Sequence, residues 1–174
     1  MRQSKKIAIS SVAVALGVAI MALGALIDTI DLTVAAIASL IMVFLYIEIG
    51  PPYTYLTWLA TTLAAALIFP ASLVWAEYFL IFGIFPLLKA FFERLPKPLW
   101  WPVKLAYLNA MLLLILWLSS VLLKVPFFER EETWYKIVIF GVMNVAFVAY
   151  DLFLTTMAKI YLFKFREKIK KFLK

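Results

Sequence analysis

Leu32 to Ile49 is a run of eighteen residues in which Glu48 is the only ionisable side chain. At about 1.5 Å rise per residue, a helix of that length reaches roughly 27 Å, close to the hydrocarbon thickness of a bilayer. Asp28 and Asp31 precede it in a short polar stretch, and Gly50-Pro51-Pro52 follows it. Neither proline can donate a backbone N–H, and Gly50 frees the local φ, so the helix has to end there. Both ends of one membrane-crossing helix are thus marked, and the other helices can be laid out from it.

Further apolar segments fall at about 7–27, 53–69, 74–92, 103–123 and 134–160, before a basic tail at 161–174. With 66% hydrophobic residues and a mean hydropathy of +1.01 over 174 residues, the chain carries more apolar surface than a soluble domain of this size could hide. The expected architecture is all-α: one polytopic membrane domain, a bundle of six transmembrane helices. The basic start MRQSKK and the run from Ile7 to Ile27 read as a retained span, because twenty-one residues are long enough to cross. Pro86 is expected to kink the fourth helix. The link Lys89–Lys104 reads as proline-broken and basic, with Trp100 and Trp101 at the headgroup level. The last helix exceeds a perpendicular span, so it tilts or projects. In the tail, Phe165, Ile169 and Phe172 fall on one face among lysines, a pattern suited to an anionic inner leaflet.

Six spans put both termini on one side. Fourteen of the seventeen lysines and arginines then lie on that side, and only Lys124, Arg130 and Lys136 lie opposite. By the positive-inside rule both termini are cytoplasmic, in a cell (plasma) membrane. Asp28, Asp31, Glu77, Glu129, Glu131 and Glu132 make the outer rim acidic, while Glu48, Glu93 and Glu167 face inward. The net charge of +7 therefore points to a membrane surface and not to nucleic acid.

Cysteine and histidine are absent. That excludes disulfides, thiol catalysis, a Ser–His–Asp arrangement and nearly every transition-metal site. Nothing resembles a nucleotide-binding glycine loop, so no enzyme, cofactor or metal is expected. Polar groups inside a bilayer are costly and are functional suspects. Asp151 is the aspartate expected within the membrane, with Lys159 or Lys104 as a structural partner. Glu77, beside Trp75 and Tyr78, is either a solvated carboxylate at a helix start or a ligand contact. Asn144, near the midplane, bonds to another helix or to a ligand. Trp134 and Tyr135 anchor at the interface or wall a pocket. In the first helix Ala8, Ser11, Ala15, Ala19 and Ala22 form one stripe of small residues, and Ala13, Gly17 and Gly24 lie on another side. The stripe serves internal packing or docks a partner helix.

The layout resembles the substrate-binding (S) components of energy-coupling-factor vitamin transporters. The resemblance rests on a basic start, an Ala-x-x-x-Ala step at Ala15 and Ala19, an aspartate-bearing loop, an apolar second helix ending in Gly50-Pro51, and a basic tail. It implies a binder of a small vitamin-like nutrient with no ATPase of its own. Such a subunit docks through Ala15 and Ala19 on a transmembrane coupling subunit that carries two ATPase subunits. It places the ligand toward the outer side, by position at Trp75, Glu77, Tyr78, Ser119, Ser120, Trp134 and Asn144. Nickel- and cobalt-binding members need an N-terminal histidine, which this chain lacks, and the acidic rim favours a neutral or cationic ligand. The chain also looks like MreD-type morphogenesis proteins, scaffolds that transport nothing. A bundle of the same architecture without a ligand site is the third reading.

Overall fold

A computed structural model describes residues 2–122 and 133–173. All regular structure among them is helical: α1 (Gln3–Leu26), α2 (Asp31–Glu48), α3 (Pro51–Ile68), α4 (Val74–Glu77), α5 (Phe85–Phe92), α6 (Lys97–Leu122), α7 (Thr133–Ile160) and α8 (Arg166–Leu173). A short 3₁₀ turn, Asp28–Ile30, joins α1 to α2. Residues 123–132, which include Lys124, Glu129, Arg130, Glu131 and Glu132 and are expected from the sequence to form an outer loop, lie outside the described residues.

Among the described residues, five helical stretches are long and apolar enough to cross a membrane: Gln3–Leu26, Asp31–Glu48, Val74–Phe92, Lys97–Val121 and Thr133–Ile169. The described residues are therefore all-helical in their regular structure, and the length and apolarity of these helices mark a membrane-embedded protein. α3 has the length of a span but not the apolarity, since two prolines, two tyrosines and four threonines dilute it. Three of those threonines turn their hydroxyls onto their own helix: Thr54 to Gly50, Thr57 to Tyr53 and Thr62 to Trp58.

α2 is the hub. Ala35, Ala38, Met42 and Leu45 face a first core built with α1 and α3, including Ala13, Met21, Ala65 and Tyr78. Its other side, through Ala36, Leu40 and Val43, packs on a second core of Ile81, Phe85, Leu108, Phe147, Tyr150 and Leu154. α1 comes close to its neighbours at glycines: a Cβ on Gly17 would meet Thr61 Cγ2 at 2.9 Å, and one on Gly24 would meet Val74 Cγ2 at 3.1 Å. The set Ala13, Gly17 and Gly24 is thus internal packing. The α2–α3 corner turns on Gly50, whose φ of +101° suits glycine, with Pro51 opening α3.

Two expectations about proline shift. The fourth span bends through a π-helical segment, Tyr78–Phe82, and Pro86 sits in the first turn of the helix that follows. With no N–H on Pro86, the Phe82 carbonyl lacks its usual partner, and the Tyr150 hydroxyl approaches it at 3.2 Å. The Tyr107 hydroxyl donates to the Leu80 carbonyl in the same break. The supposed link Lys89–Lys104 is mostly helix, because α5 runs to Phe92 and α6 begins at Lys97, six residues earlier than expected. Pro98 is tolerated in that first turn, and the indole N–H of Trp100 caps the preceding loop by donating to the Leu95 carbonyl at 2.6 Å. The last helix continues through a π-helical segment, Tyr161–Phe165, into α8, consistent with a span longer than the bilayer needs.

Candidate functional site

Between the start of α2, the α4–α5 span, α6 and α7 lies a cavity of about 200 Å³. Leu32, Ile81, Leu112, Ile115, Phe140 and Met143 make most of its wall, with Glu77 and Ser119 as its polar residues. A smaller space of about 100 Å³ adjoins it, sharing Leu32, Ile81, Leu112 and Met143 and reaching Phe147 and Tyr150. Glu77 is 7% exposed, and its Oε2 has no hydrogen-bond partner among the described residues. The Asp31 carboxyl interacts with the Glu77 carboxyl as a whole, a contact that needs a proton on one of the two. A buried carboxyl oxygen without a partner is costly in an apolar wall, so this edge of the cavity has room for a hydrogen bond that the described residues do not supply. Ser119 Oγ donates to the Leu116 carbonyl at 2.9 Å and keeps acceptor capacity.

The other residues expected at a ligand site are placed elsewhere. Tyr78 is fully buried in the first core, and Trp75 packs against that core. Ser120 donates to the Trp117 carbonyl of its own helix at 2.7 Å. Trp134 is 62% exposed and pairs edge-on with Tyr135 at 6.0 Å. Asn144 and Asn109 exchange amide hydrogen bonds of 2.9 and 3.0 Å between α7 and α6, so Asn144 takes the helix-to-helix option. Leu32, Leu112, Phe140 and Met143 are wall residues that the sequence does not flag, because an apolar residue facing a cavity looks like one facing lipid.

A second polar centre joins α5, α6 and α7 on the side of the basic tail. Lys89 Nζ contacts Asp151 Oδ1 at 2.6 Å and Glu93 Oε1 at 2.7 Å. Lys104 Nζ contacts Glu93 Oε1 at 2.9 Å and the two Asp151 oxygens at 3.0 and 3.1 Å. Two cations and two carboxylates balance, and the indoles of Trp100 and Trp101 flank Lys104 Nζ at 5.9 and 5.3 Å. Burial pushes the Glu93 carboxyl up, but the hydrogen bonds and charges of Lys104 and Lys89 outweigh it and hold the group below the usual carboxylate value. Of the two lysines expected for Asp151, Lys104 is a partner, whereas Lys159 is exposed. Lys89 is the partner that sequence reasoning missed, although Lys89 and Glu93 have the i,i+4 spacing that pairs on a helix. Lys89 and Lys104 are thus buried, not spread on a membrane surface.

Glu48, the lone ionisable group of α2, receives Arg166 Nε at 2.9 Å, which ties the start of α8 to the end of α2. On α1 the stripe Ala8, Ser11, Ala15 and Ala19 is exposed and faces away from the bundle. No metal-holding group of acidic residues occurs among the described residues. No family model, curated protein or solved structure matches the chain.

Proposed function

We propose that this protein is the membrane-embedded capture subunit of an importer of the energy-coupling-factor type, binding a small neutral or cationic nutrient from outside. The observation that carries the reading is Glu77: a buried carboxyl oxygen without a donor, at the edge of an apolar cavity that also holds Ser119. Binding pockets are concave, mostly apolar and oriented by a few polar groups, and this cavity has that composition on a small scale. A ligand amine or N–H donor would satisfy Glu77, while an anion would meet two carboxyls, Glu77 and Asp31. In this reading α3 is the sixth span, lying against α1 and α2. The excess of lysine and arginine at both ends makes the termini cytoplasmic in a plasma membrane.

The energising module is a separate coupling subunit with its ATPases. The outward face of α1, where Ala15 and Ala19 stand clear of the bundle, is the surface a partner helix could approach closely. The test is a mild-detergent pull-down of the tagged chain from its host, with copurifying proteins identified by mass spectrometry and cationic and anionic vitamins screened on the product. Recovery of a coupling subunit with ATPases, lost in Ala15→Leu, and cation binding weakened by Glu77→Gln, supports the reading. Recovery of cell-wall proteins, or tight binding of an anionic vitamin unchanged by Glu77→Gln, defeats it.

A further inference from the structure

We infer that the groove between α1 and α3 is a binding site for one anionic phospholipid of the leaflet on the side where both helices begin. The groove encloses about 530 Å³ and runs from Gln3 and Pro52 to Val14 and Ala60. The eleven steps of α1 from Gln3 to Val14 correspond to about 16 Å, roughly one leaflet of hydrocarbon. Its length therefore suits an acyl chain entering from a single leaflet.

Its wall is mostly apolar, with Gln3, Ser10, Ser11 and Thr57 as polar residues, and the Ser10 hydroxyl has no hydrogen-bond partner among the described residues. The Ser11 and Thr57 hydroxyls each donate to their own helix, at 3.0 Å to Ile7 and 2.8 Å to Tyr53. Ile7, Val14 and Leu56 supply bulk, which prevents another helix from approaching closely. The small-residue stripe of α1 lies on the adjacent face and shares only Ser11 with the groove. A flexible chain fits the groove, and a helix fits the stripe.

The mouth carries the complementary charge. Arg2 and Lys6 lie at the start of α1, with Lys6 Nζ 5.2 Å from the centre of the Tyr53 ring on α3. Neither helix has an acidic residue in its first turn. A basic edge above an apolar, leaflet-deep groove recognises a phosphodiester headgroup with its chain below. The site stands independently of any transport role, because it uses no residue of the Glu77 cavity.

The experiment is native mass spectrometry of the full chain released from nanodiscs of equal parts phosphatidylglycerol and phosphatidylcholine with identical acyl chains. One retained phosphatidylglycerol per chain is expected. Lys6→Gln should lower its retention about fivefold, and the Arg2 and Lys6 double glutamine variant about twenty-five-fold. Ala60→Trp, which blocks the inner end of the groove and leaves every charge in place, should lower retention at least about tenfold, with size-exclusion profile and helicity confirming an intact fold. Equal retention of both lipids overturns the inference. So does full retention in Ala60→Trp, which would reduce the effect to surface charge, and so does a polypeptide in place of the lipid.

Discussion

Replacing Asp151 by Asn should destabilise the bundle far more than the loss of one surface ion pair. The wild-type cluster is neutral, with Lys89 and Lys104 balanced by Glu93 and Asp151. Asp151 has a side-chain exposure of 4%, against 33% for Glu93, so it is the buried half of the negative charge. The Asp151→Asn change would leave two ammonium groups sharing one part-exposed carboxylate, and the Lys104 side chain, 2% exposed, could not reach water without dismantling the α5–α6–α7 contact. Stranding a buried charge in this way costs about 3–5 kcal/mol. An exposed pair is worth about 0–1 kcal/mol. The assay is thermal and denaturant unfolding in mild detergent, followed by fluorescence-detected size exclusion. The double variant Asp151→Asn, Lys104→Met removes one charge of each sign and leaves the Lys89–Glu93 pair. It should recover at least about 2 kcal/mol of the loss. A loss below about 1 kcal/mol in Asp151→Asn, with no recovery in the double variant, would refute the claim that the cluster is a dry, balanced unit.

Three further outcomes follow from other contacts. Glu93 is held below its ordinary value of 4.5 by Lys104 and Lys89, so its contribution is present above pH 4.5 and lost as pH falls through the lower folded value; the acid-side drop in melting temperature should shrink in Glu93→Gln. Asn144→Ala leaves Asn109 without its partner and should cost about 1 kcal/mol in detergent unfolding, whereas leucine at both positions should cost less. Gly83→Ala should lower stability by about 1–3 kcal/mol, since the added Cβ would lie 2.6 Å from Tyr78 Cε1 and 2.8 Å from Trp58 Cδ1; an unchanged melting temperature would mean that those rings move aside freely.

Helix positions and most ends were legible in the sequence because they are local properties. A run such as Leu32–Ile49 is driven into lipid by its own apolarity, and Gly50-Pro51-Pro52 stops it whatever surrounds it. Proline chemistry alone was less decisive: Pro86 marked a bend without showing that the break precedes it, and Pro98 sits inside a helix that was expected to start later. Facing was mostly illegible. In water an amphipathic period separates inside from outside, but in a membrane both the core side and the lipid side of a helix are apolar. Nothing in α1 therefore distinguished the inward set Ala13, Gly17 and Gly24 from the outward Ala15 and Ala19. Likewise Asp151 announced that it needed a cation, yet only the packing of α5 and α6 on α7 selected Lys89 and Lys104 over Lys159. Tyr150 meeting Ser39, Asn144 meeting Asn109, and Glu77 left facing a cavity are decided the same way, by which helix faces come together across long sequence separations. Span and charge balance belong to the chain, while partners and cavities belong to the fold, because partition into lipid acts on each segment alone and packing acts on pairs.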